Sequence, residues 1–580
     1  MSVAAVGTWA RSLGPVPSLA CSSCRAPGEF AKPEKLAKAA PASDRRFSAA
    51  VTVGISAFFF LRHGGRGGNT GRRGRLSALQ SESGRRSESE VIAEVLPPEL
   101  ELSSDVGSSE LSSESEPSAD SLRGGETFNW HKAWYPMAVV ADLDPKRPSK
   151  LELLGEDLVA WRDGEGQWRV FEDRCLHRNV PLSEGRVESD GTLMCSYHGW
   201  RFDGTGRVTA IPQAKEGDLH RLLDNPRACA AARPTQLKNG VLWVWGESSA
   251  DSELESALVE PNCPEELSDP ALEGRAACAV WSHRDMPYGW EVAFENVTDP
   301  AHVAVTHHNI VSDRYKDPCP IEIDWVRKPS NMGGFKFQYK PLKKKTEDGV
   351  VTTMDFRPPC QMHIKSSYPS GASLTLLINY VPTKPGWSRL VGSTMTVLGE
   401  KGEKPPGFAL YSAPIPRWLV HLLGPAFLHQ DQVFLHFQQS ILQKETLKTG
   451  KSWKQSYWIP TAVDKGTVML RNWLDRNGGI SWNPAVSQDL SSALPDKRSL
   501  FDTYHFHTEK CATCQKALKR VSRIHGALKY SAIILASAGV SGGPCWPLLA
   551  AAAVLGLGTG AASKLKGMFH EVPFHHQDNN

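Results

Sequence analysis

The chain has 580 residues, with 66 Lys and Arg against 63 Asp and Glu and 40% hydrophobic residues. That length exceeds what one core can organise, so two or more domains with appendages are expected. A formal net charge of +3 is too small for a role resting on bulk attraction to a polyanion, so no nucleic-acid partner is expected.

The near-neutral total hides an asymmetry at the N-terminus. Residues 1–75 hold twelve Lys/Arg against three acids, whereas residues 80–120 hold eleven acids against two Arg. The first block, rich in Ala, Ser, Gly and Arg, reads as a targeting segment. Within it, "FSAAVTVGISAFFFL" (Phe47–Leu61) is short for a bilayer span and suits the apolar region of a signal sequence. A basic stretch resembling a transit peptide follows. Either a bipartite leader or one long transit peptide fits. The second block is Ser/Glu-rich and cannot bury enough apolar surface to fold. Residues 1–125 are therefore expected to be a disordered leader and acidic linker.

The body begins near "FNWHKAWYP" at Phe128. Short strand patterns such as "LVAWRD" and "QWRVFED" lead into "CLHRNVPLSEGRVESDGTLMCSYH", Cys175 to His198. Zinc fingers pair two Cys and then two His, but here each half supplies one Cys and one His. That mixed order fits a Rieske [2Fe-2S] cluster, with Cys175 and Cys195 on one iron and His177 and His198 on the other.

A cluster alone could serve a mere electron carrier, so a second iron site decides the matter. "ENVTDPAHVAVTHH" (Glu295–His308) offers His302 and His307, with His308 as a competitor for His307. Non-haem iron(II) that activates dioxygen takes two His and one carboxylate and leaves positions open. Five positions span about 140° of helix, so convergence requires a bend, which Pro300 favours. The third ligand is expected at Asp431, the sole acid between Glu403 and Glu445 and part of an apolar helical pattern. The stretch "PPCQMHIKSSYPSGASLTLLINYVP" alternates as sheet strands do, and the substrate pocket is expected within roughly 310–430.

Toward the C-terminus stands a CxxC, Cys511 and Cys514, open to three readings: a redox pair, a zinc half-site with His505 or His507, or an inert buried pair. The twelve cysteines are otherwise scattered, with Cys21 and Cys24 in the leader, and do not suggest a disulfide framework. From Tyr530 to Ala562 thirty-three residues carry no charge and are interrupted by "GGPCWP". This reads as a membrane-anchoring hairpin or a single kinked span, preceded by the basic run "KALKRVSRIHGALK". A buried Ala-rich helix pair is the alternative.

Several stretches together, "CSYHGWRFDGTGRVTAIPQA", "ENVTDPAHVAVTHH", "LRNWLDRNGG" and "FHTEKCATCQKAL" among them, resemble the plastid Rieske oxygenases of chlorophyll metabolism, the pheophorbide a oxygenase family. The group includes protochlorophyllide- and chlorophyllide-oxidising relatives and a Rieske subunit of the inner-envelope import machinery. The resemblance covers the chain from about Phe128 onward. Both cluster loops lack the extra cysteines of respiratory Rieske proteins, which places them with the oxygenases. "CLHR" departs from the family by having Leu where Pro is usual.

The resemblance implies an α+β fold: an all-β Rieske domain (126–250) and a helix-grip, START-like catalytic domain (270–500). A CxxC segment (501–528) and a membrane anchor (529–563) follow. It selects His307 over His308. It makes Asp299 not a ligand but the carboxylate joining a Rieske His of one subunit to an iron-bound His of the next, and hence implies a homotrimer. Asn296 becomes a residue supporting the site, and Cys511 and Cys514 a pair under thioredoxin control. Ferredoxin is the implied electron donor, dioxygen the co-substrate, a tetrapyrrole the substrate and a plastid membrane the location. The implied reaction is monooxygenation that opens a chlorin macrocycle. Oxidation of protochlorophyllide, chlorophyllide or a linear catabolite is the alternative, and a redox-sensing import subunit is the alternative from another class.

Overall fold

The computed structural model describes residues 127–342, 349–482, 485–486 and 496–576. The leader, the acidic linker, Cys21, Cys24 and the apolar stretch Phe47–Leu61 lie outside the described residues.

Residues 134–245 form three small antiparallel sheets, as the closely spaced strand and turn signals predict. One sheet joins Trp134–Val139, Val241–Trp245 and Thr235–Lys238. A second runs through Ser149–Leu153, Glu156–Arg162, Trp168–Glu172 and Ala232–Arg233. The third holds the four short strands between Arg186 and Ala210. In that third sheet the turn of "FDGTGRV" needs Gly206, which has φ +90° and where a Cβ would lie 2.5 Å from the Ala230 carbonyl oxygen. A local core of Val159, Trp161, Phe171, Leu182, Leu193, Phe202 and Val208 also encloses Cys175 and Cys195.

The following region is an eight-stranded antiparallel sheet. Its order is Ala276–Cys278, Trp387–Val397, Ser373–Lys384, Gln361–Ser367, Val351–Arg357, Gly334–Pro341 and Ile321–Ser330, and Ser282–Met286 also pairs with Trp387–Val397. The alternation in "SLTLLIN" is realised, with Ser373, Thr375, Leu377 and Asn379 buried while the residues between them are half-exposed. Helices α1 (Trp290–Thr298), α3 (Arg417–Thr449) and α4 (Lys465–Asn477) share a core with the sheet, and the short α2 (His302–Thr306) follows α1. This is the expected helix-grip arrangement. Glu295 of α1, itself buried, binds the Arg471 guanidinium of α4 and accepts from Tyr457 (3.2 Å), which ties α1 and α4 to the segment joining α3 to α4.

The two regions are not beads on a string. Phe128, Trp130, Tyr135, Met137 and Leu153 share one core with Trp290, Phe294, Phe356 and Trp473. The Phe128 N–H donates to Asn477 Oδ1 (2.8 Å). At roughly 1.5–3 kcal/mol for each large apolar side chain fully buried, this seam fixes the first region on the second.

The tail forms an antiparallel pair, α5 (Ala512–Ser541) and α6 (Trp546–Met568), turning at "GGPC". Helix α5 is continuous through residue 528, so the CxxC segment and the first limb of the apolar tail share one element. Helix α6 is long and apolar enough to cross a membrane, and its most apolar window is only 6% buried. A buried helix pair would not leave that face open, so the anchor reading fits better than the alternative.

One histidine of the sheet carries a pH prediction. His363 lies opposite Asp355 on the neighbouring strand and is buried. Burial and the nearby Arg357 push it down to about 4, against opposing pulls from Asp355 and Glu266. The unfolded chain, titrating near 6.5, therefore takes up a proton that the folded chain refuses between about pH 6.5 and 4. Stability should fall by about 3 kcal/mol as pH drops through that window. Urea midpoints measured at pH 7 and pH 4.5 should converge in His363→Gln relative to the parent; an unchanged pH dependence would contradict the assignment.

Candidate functional site

The two cluster loops are built alike. Cys175 follows the strand Trp168–Glu172, and Cys195 follows Leu193–Met194. In each loop the N–H four residues on closes back to the cysteine carbonyl: Asn179 to Cys175 (2.8 Å) and Gly199 to Cys195 (3.0 Å). Asn179 (φ +57°) and Gly199 (φ +74°) both adopt the left-handed conformation that this turn requires. Asp173 pins the first loop, accepting from Ser183 N–H (2.7 Å) and Oγ–H (2.6 Å).

Both cysteines are buried, while His177 is exposed and His198 half-buried. The imidazoles sit 4.4 Å apart, and His177 stacks on Trp200 (4.9 Å, 7°). Burial and the adjacent Cys195 raise the Cys175 thiol to about 11, although the His177 and Arg178 backbone N–H groups partly offset this. Two thiols held side by side with N–H groups aimed at sulfur, under two imidazoles at the surface, form a donor set that fits a [2Fe-2S] cluster whose histidine-bound iron faces outward.

The second constellation converges through the bend that the sequence requires. α1 ends at Thr298, Pro300 interrupts it, and α2 starts at His302. His307 lies just past α2, with φ −91° and ψ 34°, and so leaves helical geometry and turns inward. Asp431 comes from the middle of α3, where residues 429–433 are all buried. Donor atoms of His302, His307 and Asp431 lie within 4.8 Å of one another, and His307 Nε2 is 3.3 Å from Asp431 Oδ2. Asp431 Oδ1 is buried with no hydrogen-bond partner among the described residues, as expected of a carboxylate shaped to face a cation. His308 points elsewhere: its Nδ1 accepts from the Arg314 N–H (3.1 Å).

His302 Nδ1 bonds the Asp299 backbone carbonyl (2.5 Å), not its carboxylate, and His307 Nδ1 bonds Gln430 Oε1 (2.9 Å). Each acceptor fixes the tautomer that leaves Nε2 free to ligate. Phe427, one turn before Asp431, stacks on His307 (3.8 Å, 18°). The Asp299 carboxylate accepts from the Ala301 N–H (2.8 Å). Burial pushes that carboxyl up, with His302 pulling the other way. Tyr288 and Tyr380, hydroxyls 3.5 Å apart, feel the Asp431 charge, and burial foremost keeps both phenols protonated.

A cavity of about 470 Å³ borders these ligands and is lined by Asn296, Asp299, Phe434, Tyr457, Trp458 and neighbours. An adjoining apolar recess of about 640 Å³ shares Phe434, Gln438, Ser456 and Tyr457 and extends to Phe437 and Ile441. The expected 310–430 stretch supplies none of the lining of the first cavity. The space opens along α3 because Phe434, Phe437 and Ile441 recur on one exposed face of that helix.

The CxxC lies apart from both centres. Cys511 and Cys514 are fully buried, with His507 and, from α3, His421 against them. His505 is exposed and held instead by Asp502 (2.6 Å). Sequence reading missed His421 because it stands 90 residues before Cys511.

Residues 133–227 match the Rieske [2Fe-2S] domain family, and residues 356–448 match the pheophorbide a oxygenase family. The chain is 32% identical over 465 residues to a chloroplastic pheophorbide a oxygenase of Oryza sativa subsp. japonica, spanning 76% of this chain and 83% of that one. It is 29% identical to the chloroplastic protochlorophyllide-dependent translocon component 52 of Arabidopsis thaliana, over 71% of this chain and 78% of that protein. A chloroplastic flavonoid 8-hydroxylase 2 of Ocimum basilicum is also 29% identical, over 72% and 80%.

Proposed function

Because this chain belongs to the pheophorbide a oxygenase family of Rieske-type oxygenases, we propose that it oxygenates a chlorophyll-derived tetrapyrrole in the plastid, opening the macrocycle of pheophorbide a at a meso bridge. The observation that carries this reading is the convergence of His302, His307 and Asp431 beside a cavity that adjoins an apolar recess. A redox-sensing subunit would need the cluster but not that triad.

When bound, the [2Fe-2S] cluster supplies electrons one at a time, and the mononuclear iron(II) supplies the dioxygen chemistry. The protein's own part is positional. Cys175 and Cys195 would hold the cluster from the core, and His177 and His198 would hold it from the surface, within reach of a donor, which we assign to ferredoxin. The Asp299 carbonyl and Gln430 hold two imidazoles in ligating tautomers. Phe434, Phe437, Tyr457 and Trp458 offer aromatic faces to a flat macrocycle, and stacking there excludes water from the reacting edge. Asn296 lines the same cavity and is assigned to substrate or solvent positioning. The Asp299 carboxylate, which lines the cavity, is assigned to a Rieske histidine of the neighbouring subunit in a homotrimer. The α5–α6 hairpin holds the enzyme at a plastid membrane, thylakoid or inner envelope, where an apolar pigment partitions.

Purified protein incubated with ferredoxin, its reductase, dioxygen and separate pigments tests this reading. Oxidation of pheophorbide a in preference to protochlorophyllide and chlorophyllide a is expected. Preferential turnover of either alternative, or of a flavone, would move the substrate assignment. No oxidation of any of them by protein with both iron centres loaded would overturn it.

A further inference from the structure

Four buried side chains that neither iron centre uses converge at the foot of the hairpin. They are His421 on α3, His507 in the preceding segment, and Cys511 and Cys514 at the start of α5. Their donor atoms all lie within 4.8 Å of one another. His507 Nε2 is 3.1 Å from His421 Nδ1 and 3.3 Å from Cys514 Sγ. His421 Nδ1 is 3.4 Å from Cys514 Sγ and 3.7 Å from Cys511 Sγ.

These are the dimensions of a coordination tetrahedron. Zn–S bonds of about 2.3 Å and Zn–N bonds of about 2.0–2.1 Å at tetrahedral angles give donor–donor edges of roughly 3.3–3.8 Å. The surrounding atoms also suit an ion. The second nitrogen of His507 bonds the His283 carbonyl (Nδ1 to O, 2.6 Å), which leaves Nε2 as donor to a metal. The second nitrogen of His421 faces Asp142 Oδ2 at 3.7 Å. Asp142 is fully buried, and neither of its carboxylate oxygens has a hydrogen-bond partner among the described residues. A buried carboxylate in that condition is costly unless a nearby cation balances it. Arg417, 3.6 Å away, supplies part of that balance. A divalent ion held through His421 would supply the rest, in the carboxylate–histidine–metal order.

We propose that His421, His507, Cys511 and Cys514 bind one structural zinc ion. The set is closed, two thiolates and two imidazoles with no open position, and so suits structure rather than catalysis. The ion would staple three segments: α3, the turn carrying His507, and the base of the hairpin. Asp142, between the first strands of the Rieske region, adds a fourth through His421. Ten residues separate His421 from Asp431 on α3, about 15 Å along the helix, so the staple also steadies the helix that carries the third iron ligand. Pro425, between them, lacks the N–H that would bond the His421 carbonyl, so that stretch of helix needs outside support. A thioredoxin-reducible pair would need an accessible sulfur, and both sulfurs are enclosed.

Metal analysis of the full-length protein, purified in detergent without chelators, tests the proposal. One zinc per chain is expected beside the iron of the two oxygenase centres. His307→Ala should keep that zinc, which excludes zinc misloaded at the iron site. Cys514→Ser should lose it at least about tenfold, with the Rieske spectrum intact, and Asp142→Asn should release it to a chelator about 10–100-fold more readily. Cobalt(II) reconstitution should give tetrahedral thiolate-ligated visible bands, absent in Cys514→Ser. If that variant does not fold, the parent decides alone. Zinc below about one-tenth per chain, or a Cys511–Cys514 disulfide in the native protein, would overturn the proposal, and so would zinc lost in His307→Ala and retained in Cys514→Ser.

Discussion

Replacing His307 with alanine should lower pigment oxidation by at least about 10³-fold, or about 4 kcal/mol of transition-state stabilisation, while leaving the Rieske spectrum unchanged. The geometry separates the two outcomes. His307 packs against Asp431, Gln430 and Phe427 on α3. Cys175 and Cys195 belong to a different core, and His177 and His198 lie beside them nearer the surface. Removing the imidazole leaves Asp431 buried beside one remaining histidine, too few donors for iron(II). Gln430→Ala should give a milder loss, about 10–100-fold, because it frees the ring without deleting the ligand. Loss of the Rieske spectrum in His307→Ala would contradict the division into two sites.

The next largest effect is expected at Asp299. Its carbonyl already serves His302, so Asp299→Asn preserves that bond and alters only the carboxylate. Both metal centres should load normally, yet turnover should fall about 10–100-fold if, as proposed, this carboxylate bridges two subunits, because the bridge then loses its charge. Co-expression sharpens the test. Chains carrying His177→Ala have no working cluster, and chains carrying His307→Ala have no working iron site. If electrons pass between subunits, mixed oligomers regain activity, because one interface pairs the intact halves. Absence of complementation in verified mixed oligomers would contradict the trimer reading and the role of Asp299 together.

The candidate cysteine and histidine ligands were legible because they belong to short motifs whose residue types leave few chemistries. Cys175 to His198 needs only the order of its four donors, whereas choosing His307 over His308 beside His302 needed the family spacing. Asp431 stood out because an isolated acid in an apolar helical pattern requires a partner. What escaped reading depends on tertiary neighbours. Gln430 is one glutamine among several on α3, and no periodicity shows that it faces His307. The Asp299 carbonyl carries no residue signature at all. The seam between Trp130 and Trp473 joins positions more than three hundred residues apart. The cavity lies along α3 rather than on the sheet strands, since alternation shows which side chains turn inward but not where the packed layers leave space. His421 is the clearest case: its partners Cys511 and Cys514 announced themselves by spacing, but the fold alone brings it to them.

A single-turnover experiment bears most directly on the account. Protein with both centres loaded is reduced stoichiometrically without air and then mixed with pheophorbide a and isotope-labelled dioxygen. The account predicts that the Rieske cluster reoxidises as the pigment is converted, and that the opened product carries one labelled oxygen atom. Reoxidation of the cluster at the same rate with and without pigment, leaving every tetrapyrrole tried unlabelled, would contradict it.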